Sequence, residues 1–402
     1  MFRFTSFLPP ICIILISLLL LSCNQQKSTD FPSIKLFVSG GVIQDEQKVD
    51  CSIELRDRIQ QQTIKGGIEY RGSSSKLYPK KSYTVRFKNE KAIQWQGLSL
   101  IGDWVLYAPY ADRSCIRNTL AQYFFSAMGH YSTSSVFTEL YINNEYMGVY
   151  ELREKIDLDK PGLKEAKCIL KIDKTTGKKK QKFASVINPD IAILEHDVAK
   201  GFEFNAAIQK VHDFEKALLD TTKNLSNYAD MDSFVDYFLF SEFANSPDAY
   251  RSSCYFTMLK DQRIAMGPIW DYDLAFGNST LYKGLSTQGW RYAISETQSP
   301  YYTAAPKWWS NLYRNKSFKT AVSKRWAHLR QSLFSAQNMQ RMVDRFADPI
   351  QPALANNFKK WPIIGKQVQW AAPPRKSYKG ELDYLKQWMV QRANWMDTEI
   401  GK

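Results

Sequence analysis

Between Met231 and Phe243 the residues Phe234, Val235, Tyr237, Phe238, Leu239 and Phe240 crowd every side of a helical projection. A helix apolar all round is not a surface helix, so other elements must enclose it. Any fold of this chain is therefore organised around that segment. The residues after it turn polar: Asn245-Ser246-Pro247-Asp248 reads as a loop. Cys254 to Leu259 and Ile264 to Ile269 then read as two strands joined by Lys260-Asp261-Gln262-Arg263. The second runs directly into Trp270-Asp271-Tyr272-Asp273. The order is thus a buried helix, a loop bearing a carboxylate, a hairpin, and a strand end bearing two more.

Upstream, the pattern is mostly of period two. Ser33 to Val38 and Cys51 to Leu55 are strand-like, and Lys81-Ser82-Tyr83-Thr84-Val85-Arg86-Phe87 alternates strictly, placing Lys81, Tyr83, Val85 and Phe87 on one face. Val136 to Ile142 and Tyr146 to Leu152 flank Asn143-Asn144, a hairpin signature. One helix interrupts them, with Ile116, Leu120, Phe124 and Ala127 in helical register and Gly129 as its stop. From Pro306 onward the spacing is helical, clearest from Glu381 to Ile400. Eight of the eleven tryptophans follow residue 289 and read as core anchors of that helical part rather than as a sugar-binding ladder. The expectation is an α+β fold of 402 residues, with a β-rich N-terminal lobe at 33–200, a middle region at 201–305 and a helical C-terminal region at 306–402.

The first 22 residues read as an address: Arg3, an apolar run from Ile11 to Leu21, then Leu20-Leu21-Ser22-Cys23. That box suits a bacterial lipoprotein, in which the Cys23 thiol carries the lipid and residues 23–32 form a tether to the membrane. Cys51, Cys115, Cys168 and Cys254 have no metal-ligand spacing, and their apolar surroundings favour buried free thiols. Four histidines are too few for a His-rich metal site. The net charge of +14 suggests an anionic partner. About half of it falls in Lys160 to Lys182, which carries nine lysines and no aromatic residue, so stacking on nucleic acid is not expected there. That stretch reads as a solvated loop or hairpin tip.

Lys81 on an apolar strand face needs a partner. Glu154, on the same alternating face as Tyr150 and Leu152, is a candidate for it. Two carboxylates separated by a hairpin, with an upstream lysine and its acidic partner, are what phosphoryl transfer uses: one accepts or orients a hydroxyl proton and one holds Mg²⁺ against phosphates. The residues also carry a resemblance. Tyr70-Arg71-Gly72-Ser73-Ser74-Ser75, Pro79-Lys80-Lys81-Ser82-Tyr83, Trp104-Val105-Leu106 with Asp112-Arg113 and Arg117-Asn118, Tyr141 to Tyr150 with Glu154, Asn245 with Asp248, and Trp270 to Gly277 occur in one order. Together they resemble the CotH kinase family from about Ile34 to the C-terminus.

The resemblance implies an atypical protein-kinase-like fold and ATP-dependent phosphorylation of a Ser or Thr on a protein substrate at the bacterial cell envelope. It implies Asp248 as the catalytic carboxylate and Asp271, with Asp273, as ligands for Mg²⁺ or Mn²⁺. Lys81, or Lys80 if the strand register shifts, would contact phosphate, with Glu154 pairing that lysine and Arg71 and Arg117 binding anions. The chain departs from the kinase pattern at Ser253, where an Asn for the second metal is expected, and it has no Gly-x-Gly-x-x-Gly loop. These departures keep an alternative open: a non-catalytic surface lipoprotein of the same scaffold that binds a glycan or a protein partner.

Overall fold

The structure, a computed structural model, describes residues 31–39, 41–173, 181–294 and 305–402. The signal segment, Cys23, nearly all of the tether, and residues 174–180 of the lysine-rich stretch lie outside them.

The N-terminal strands are β1 (Ser33–Val38), β2 (Val49–Arg56), β3 (Gln61–Arg71), β4 (Ser82–Phe87), β5 (Ile93–Trp95), β6 (Leu98–Leu100) and β7 (Gly102–Tyr107). After the helix α1 (Arg117–Ala127) come β8 (Ser135–Ile142) and β9 (Glu145–Glu154). Seven of these strands close into a barrel in the order β1-β2-β3-β4-β7-β9-β8, and β5 and β6 form a separate hairpin. The closing joint, β1 with β8, is parallel, whereas the neighbouring strands pair antiparallel. Alternation fills the interior: Ile34, Leu36, Ile53, Leu55, Tyr83, Val85, Phe87, Leu106 and Leu152 share one cluster. The β8–β9 turn uses Asn143 and Asn144 at φ 49 and 67, the left-handed pair that a two-residue hairpin demands.

A second sheet joins β10 (Ala166–Ile172), β11 (Lys182–Ala184) and β12 (Ala192–Val198) to β13 (Cys254–Leu259) and β14 (Ile264–Met266), in the order β11-β12-β10-β13-β14. This corrects the reading of Lys160 to Lys182 as a solvated loop or hairpin tip where β10 crosses it; residues 174–180 of that stretch lie outside the described residues. β10 is the central strand of the sheet, with Cys168, Ile169, Leu170 and Ile172 buried while Lys167 is exposed. The lysines masked an ordinary buried strand.

Between β12 and β13 lie α2 (Phe204–Leu219) and α3 (Met231–Ala244), and α4 (Lys307–Arg314), α5 (Lys316–Arg330), α6 (Ala336–Ala347), α7 (Gln351–Lys360) and α8 (Tyr378–Glu399) complete the chain. α3 is the enclosed helix that the sequence demands: every residue from Ser233 to Ala244 is buried. It packs against α1, α5, α8 and β14. Phe238 meets the rings of Tyr313, Phe318 and Trp290 at centroid distances of 5.1, 5.9 and 6.0 Å. Phe243 lies 4.6 Å from Phe334. Trp308, Trp309, Trp326 and Trp388 are all buried, as core anchors. All four described cysteines are buried and free. The fold is α+β, with a β-rich N-terminal part and a helical C-terminal part.

Phe238→Ala removes the ring on which those aromatic contacts converge. We expect a loss of about 3–5 kcal/mol in urea unfolding, with little change in the denaturant slope.

Candidate functional site

The C-terminal end of α3 sets the geometry. Asn245 caps it in the left-handed region at φ 46. Its Nδ2 donates to the carbonyls of Lys283 and Ser286 at 3.2 and 2.9 Å, and its Oδ1 accepts from Arg291 Nε at 2.8 Å. One turn earlier, Glu242 is fully buried. Its carboxylate accepts from the backbone N–H of Arg291 and Tyr292 and from the Tyr250 hydroxyl, at 2.6, 2.9 and 2.9 Å. Arg392 Nη2 stands 3.4 Å away. Burial pushes the Glu242 carboxyl up even though Arg392 and these donors pull it down. The turn so anchored carries Asp248, half-buried, whose carbonyl accepts from the N–H of Arg251 and Ser252, both at 3.0 Å.

β14 leads out into the second part. The N–H of Tyr272 donates to Asn118 Oδ1 at 2.7 Å, and Tyr272 itself is buried. Asp271 and Asp273 are both half-buried. Tyr107 at the end of β7 donates its hydroxyl proton to Asp273 Oδ2 at 3.0 Å. Asn278 Nδ2 ties the Asp273 carbonyl, at 2.8 Å, to that of Ala111, at 3.1 Å. Burial first, and then the charge of Asp271 with smaller contributions from Asp112 and Asp248, push the Asp273 carboxyl up to about 8 against the Tyr107 bond. Asp248, Asp271 and Asp273 therefore share one electrostatic neighbourhood. Asn245, Tyr250, Ser253, Asp271 and Phe276 all have positive φ. Such backbone costs on the order of 1–3 kcal/mol per residue and gathers where a site needs it.

The cations are arranged less simply. Arg71, at the end of β3, is half-buried, and its guanidinium lies 5.3 Å from the Trp270 ring centroid. Asp271 and Tyr255 act on it electrostatically. Arg117 is buried and bonds Asp112 Oδ1 at 2.5 Å, so its connection to the carboxylates runs through Asp112. The two lysines lie elsewhere. β4 begins at Ser82, so Lys81 precedes the strand, and its Nζ donates to the Lys76 carbonyl at 2.5 Å. Lys80 takes the buried position at 2% exposure, donating to the Val149 carbonyl at 2.6 Å and to Asn357 Oδ1 at 2.9 Å. Glu154 accepts from the Ser134 N–H at 3.0 Å and the Tyr131 hydroxyl at 3.3 Å. The expected lysine–Glu154 ion pair is not formed: Lys81 precedes β4 and gives its ammonium to the Lys76 carbonyl, and Lys80 gives its own to Val149 and Asn357. Ser253 is half-buried, and its neighbour Ser252 donates to Asp173 Oδ1 at 2.9 Å, while Lys171 Nζ holds Asp173 Oδ2 at 2.7 Å.

Sequence reading misses Tyr107, Asp173 and Arg153. Arg153 lies 4.9 Å from the Trp270 ring. It alternates with Glu154, and only the covering of both faces of β9, which buries Glu151 and Arg153 at 1% exposure each, reveals it. Asp173 depends on the β10–β13 register, where Ile172 opposes Cys254. Tyr107 carries no sequence signal.

The family model for CotH kinase protein matches residues 68–396. The chain belongs to this family. It is also 30% identical over 135 residues to inner spore coat protein H of Bacillus subtilis (strain 168), an alignment covering 33% of this chain and 36% of that protein. The chain thus spans about a third of the length of the curated relative it matches. Arg71, Lys80, Lys81, Glu154, Asp248, Asp271 and Asp273 all fall inside the part matched by the CotH model.

Lys80 yields a pH test. Burial pushes its ammonium down to about 7 from its ordinary 10.5. Between those values the unfolded chain holds a proton that the folded chain lacks, so this group makes stability rise with pH across that window. Urea unfolding of wild type should gain about 1.4 kcal/mol per pH unit relative to Lys80→Met between pH 7.5 and 9.5. Parallel profiles for the two proteins would show that Lys80 does not titrate there.

Proposed function

We propose that this CotH-family chain transfers the γ-phosphoryl group of ATP, accompanied by Mg²⁺ or Mn²⁺, to a Ser or Thr hydroxyl of a protein at the cell envelope. The observation that carries this reading is that Asp273, after β14 and hydrogen-bonded by Tyr107, lies within electrostatic reach of Asp271 and, more weakly, of Asp248 on the turn after α3. The chemistry needs one carboxylate at the acceptor hydroxyl and another at the metal that accompanies the nucleotide. Asp248 suits the first role, because its turn leaves it partly accessible. Asp271 suits the second.

The donors put forward, the carboxylate oxygens of Asp271 and Asp273 with the Ser253 hydroxyl, are of the oxygen type that a hard divalent cation takes. Among the described residues no three His, Cys, Asp or Glu side chains are placed to hold a metal ion by themselves. Bound there, the ion would neutralise charge on the phosphates. In the transfer the acceptor oxygen forms a bond to the γ-phosphorus as the bond to the bridging oxygen breaks, and the hydroxyl proton passes to Asp248. ADP leaves.

The envelope location is supported by the leader-like segment ending at Cys23 and by the similarity to an inner spore coat protein. No described helix is long and apolar enough to cross a membrane. A glycan-binding, non-catalytic role remains the second reading. It is favoured by Ser253 in place of the expected Asn and disfavoured by the burial of Trp308, Trp309, Trp326 and Trp388.

The test is Mg²⁺-dependent ATP binding and phosphorylation by the chain without its first 22 residues. Asp248→Ala should lower turnover by about 10²–10⁴-fold with nucleotide binding retained, and Asp271→Ala should remove the metal dependence. A wild-type chain that binds no nucleotide with either metal would end the kinase reading.

A further inference from the structure

The hairpin β13–β14 and the end of α1 enclose a space that the carboxylate site does not use. Its volume is about 110 Å³, and its walls include Phe125, His130, Tyr131, Leu163, Met266 and Pro268. Asp248, Asp271 and Asp273 do not line it, and neither does any Lys or Arg. The one carboxylate among its lining residues is that of Glu165, 75% exposed and paired with Lys260 at 2.9 Å. An anion such as phosphate therefore finds no counter-charge in the walls. Apolar walls also give water few partners.

His130 is the polar feature of that wall. Its Nε2 meets Asp236 Oδ2 at 2.8 Å. Asp236 takes a forked pair from Arg325, Nε to Oδ1 at 2.8 Å and Nη2 to Oδ2 at 2.9 Å, and the same Nη2 donates to the Met128 carbonyl at 2.8 Å. Burial alone would raise the Asp236 carboxyl, but the bonds from His130 and Arg325 hold it below its ordinary range, so it stays ionised. An ionised carboxylate only accepts, so Nε2 carries the proton and the neutral imidazole keeps Nδ1 as a lone-pair acceptor. Among the described residues no group bonds that Nδ1. The ring is fixed in plane as well, stacked on Phe125 at a centroid distance of 4.9 Å and an interplanar angle of 25°. α1, α3 and α5 thus hold one imidazole in one orientation and one tautomer, with its second nitrogen unspent.

We propose that this space is a binding site for a phenol, whose ring packs among Phe125, Leu163, Met266 and Pro268 and whose hydroxyl donates to His130 Nδ1. The scale suits one ring, since an engineered apolar cavity of roughly 150 Å³ holds benzene. The stacked Phe125 and His130 rings favour a flat, aromatic occupant over a branched one. The missing counter-charge excludes an anionic occupant, and the spare acceptor asks for a hydroxyl on the ring. A free phenolic molecule and a tyrosine side chain of a partner protein present the same chemistry. The site is separate from the carboxylates and does not depend on the phosphoryl-transfer reading.

The experiment titrates the full chain with p-cresol, toluene and N-acetyl-tyrosinamide by ligand-observed NMR. Wild type, His130→Phe, His130→Gln and Leu163→Trp are compared, with thermal melts as a folding control. Wild type should bind p-cresol, and Leu163→Trp, which fills the space, should weaken it at least tenfold. His130→Phe should lower the ratio of p-cresol to toluene affinity by about three- to tenfold, the worth of one hydrogen bond. If His130→Phe does not fold, His130→Gln, whose amide keeps a donor for Asp236 without the ring acceptor, carries the same comparison. N-acetyl-tyrosinamide displaced by p-cresol supports the site and assigns it to a tyrosine side chain. p-Cresol bound without it supports the site and assigns it to a free phenol. The proposal is overturned by a wild type that binds no p-cresol, by a folded Leu163→Trp that binds it as wild type does, or by an affinity ratio that survives loss of the imidazole.

Discussion

Glu242 is a fully buried carboxylate, and three parts of the chain are built to tolerate it. Its oxygens take the backbone N–H groups of Arg291 and Tyr292, the Tyr250 hydroxyl and the Arg392 guanidinium. Arg392 also donates to the carbonyls of Glu242 and Gly289, and Trp388 to that of Leu285. The end of α3, the turn that carries Asp248, and the segment that follows Asp273 are therefore tied to α8 through one buried charge. Removing a single partner of such a network leaves the others uncompensated, at a cost of about 3–5 kcal/mol. The turn that carries Asp248 therefore leaves a helix end that this anchor holds. At Gly277, with φ 76, an added Cβ would stand 2.4 Å from the Trp388 ring, so the segment after Asp273 lies directly against the same helix.

Much of this was legible in the sequence wherever the signal was local. The enclosed α3, the Asn143–Asn144 hairpin, the stop at Gly129 and the long C-terminal helix follow from periodicity and turn chemistry within one window. Barrel closure was not legible, because the parallel joint of β1 with β8 links residues a hundred positions apart and no local pattern encodes it. Nor was the central place of β10. Its flanking lysines raised the local charge, and burial of its apolar face is decided by β12 and β13, which are distant in sequence.

The candidate site divides along the same line. Chain order together with the family resemblance put forward Asp248, Asp271 and Asp273 as candidates. The lysines were harder: the alternation from Tyr83 to Phe87 holds, but β4 starts at Ser82, so Lys80 and Lys81 precede it and the strand does not set their direction. Lys80 consequently turns toward Val149 and Asn357 rather than toward a carboxylate. Arg153 could not be read at all, for a strand covered on both faces gives no alternation by which to choose a direction.

The closed barrel has a consequence for how copies of this chain can meet. Its strands have no free edge. In the second sheet β14 is flanked by the Tyr228–Asp230 backbone, which exchanges bonds with Ile264 at 3.0 and 2.8 Å. In that sheet the three residues of β11 form the open rim, and the three-residue strands of the β5–β6 hairpin keep short edges of their own. Edges only three residues long offer little backbone for another chain to add a strand to. Contacts between copies would therefore run mainly through side chains, whose charge and shape can be selective where a bare backbone cannot.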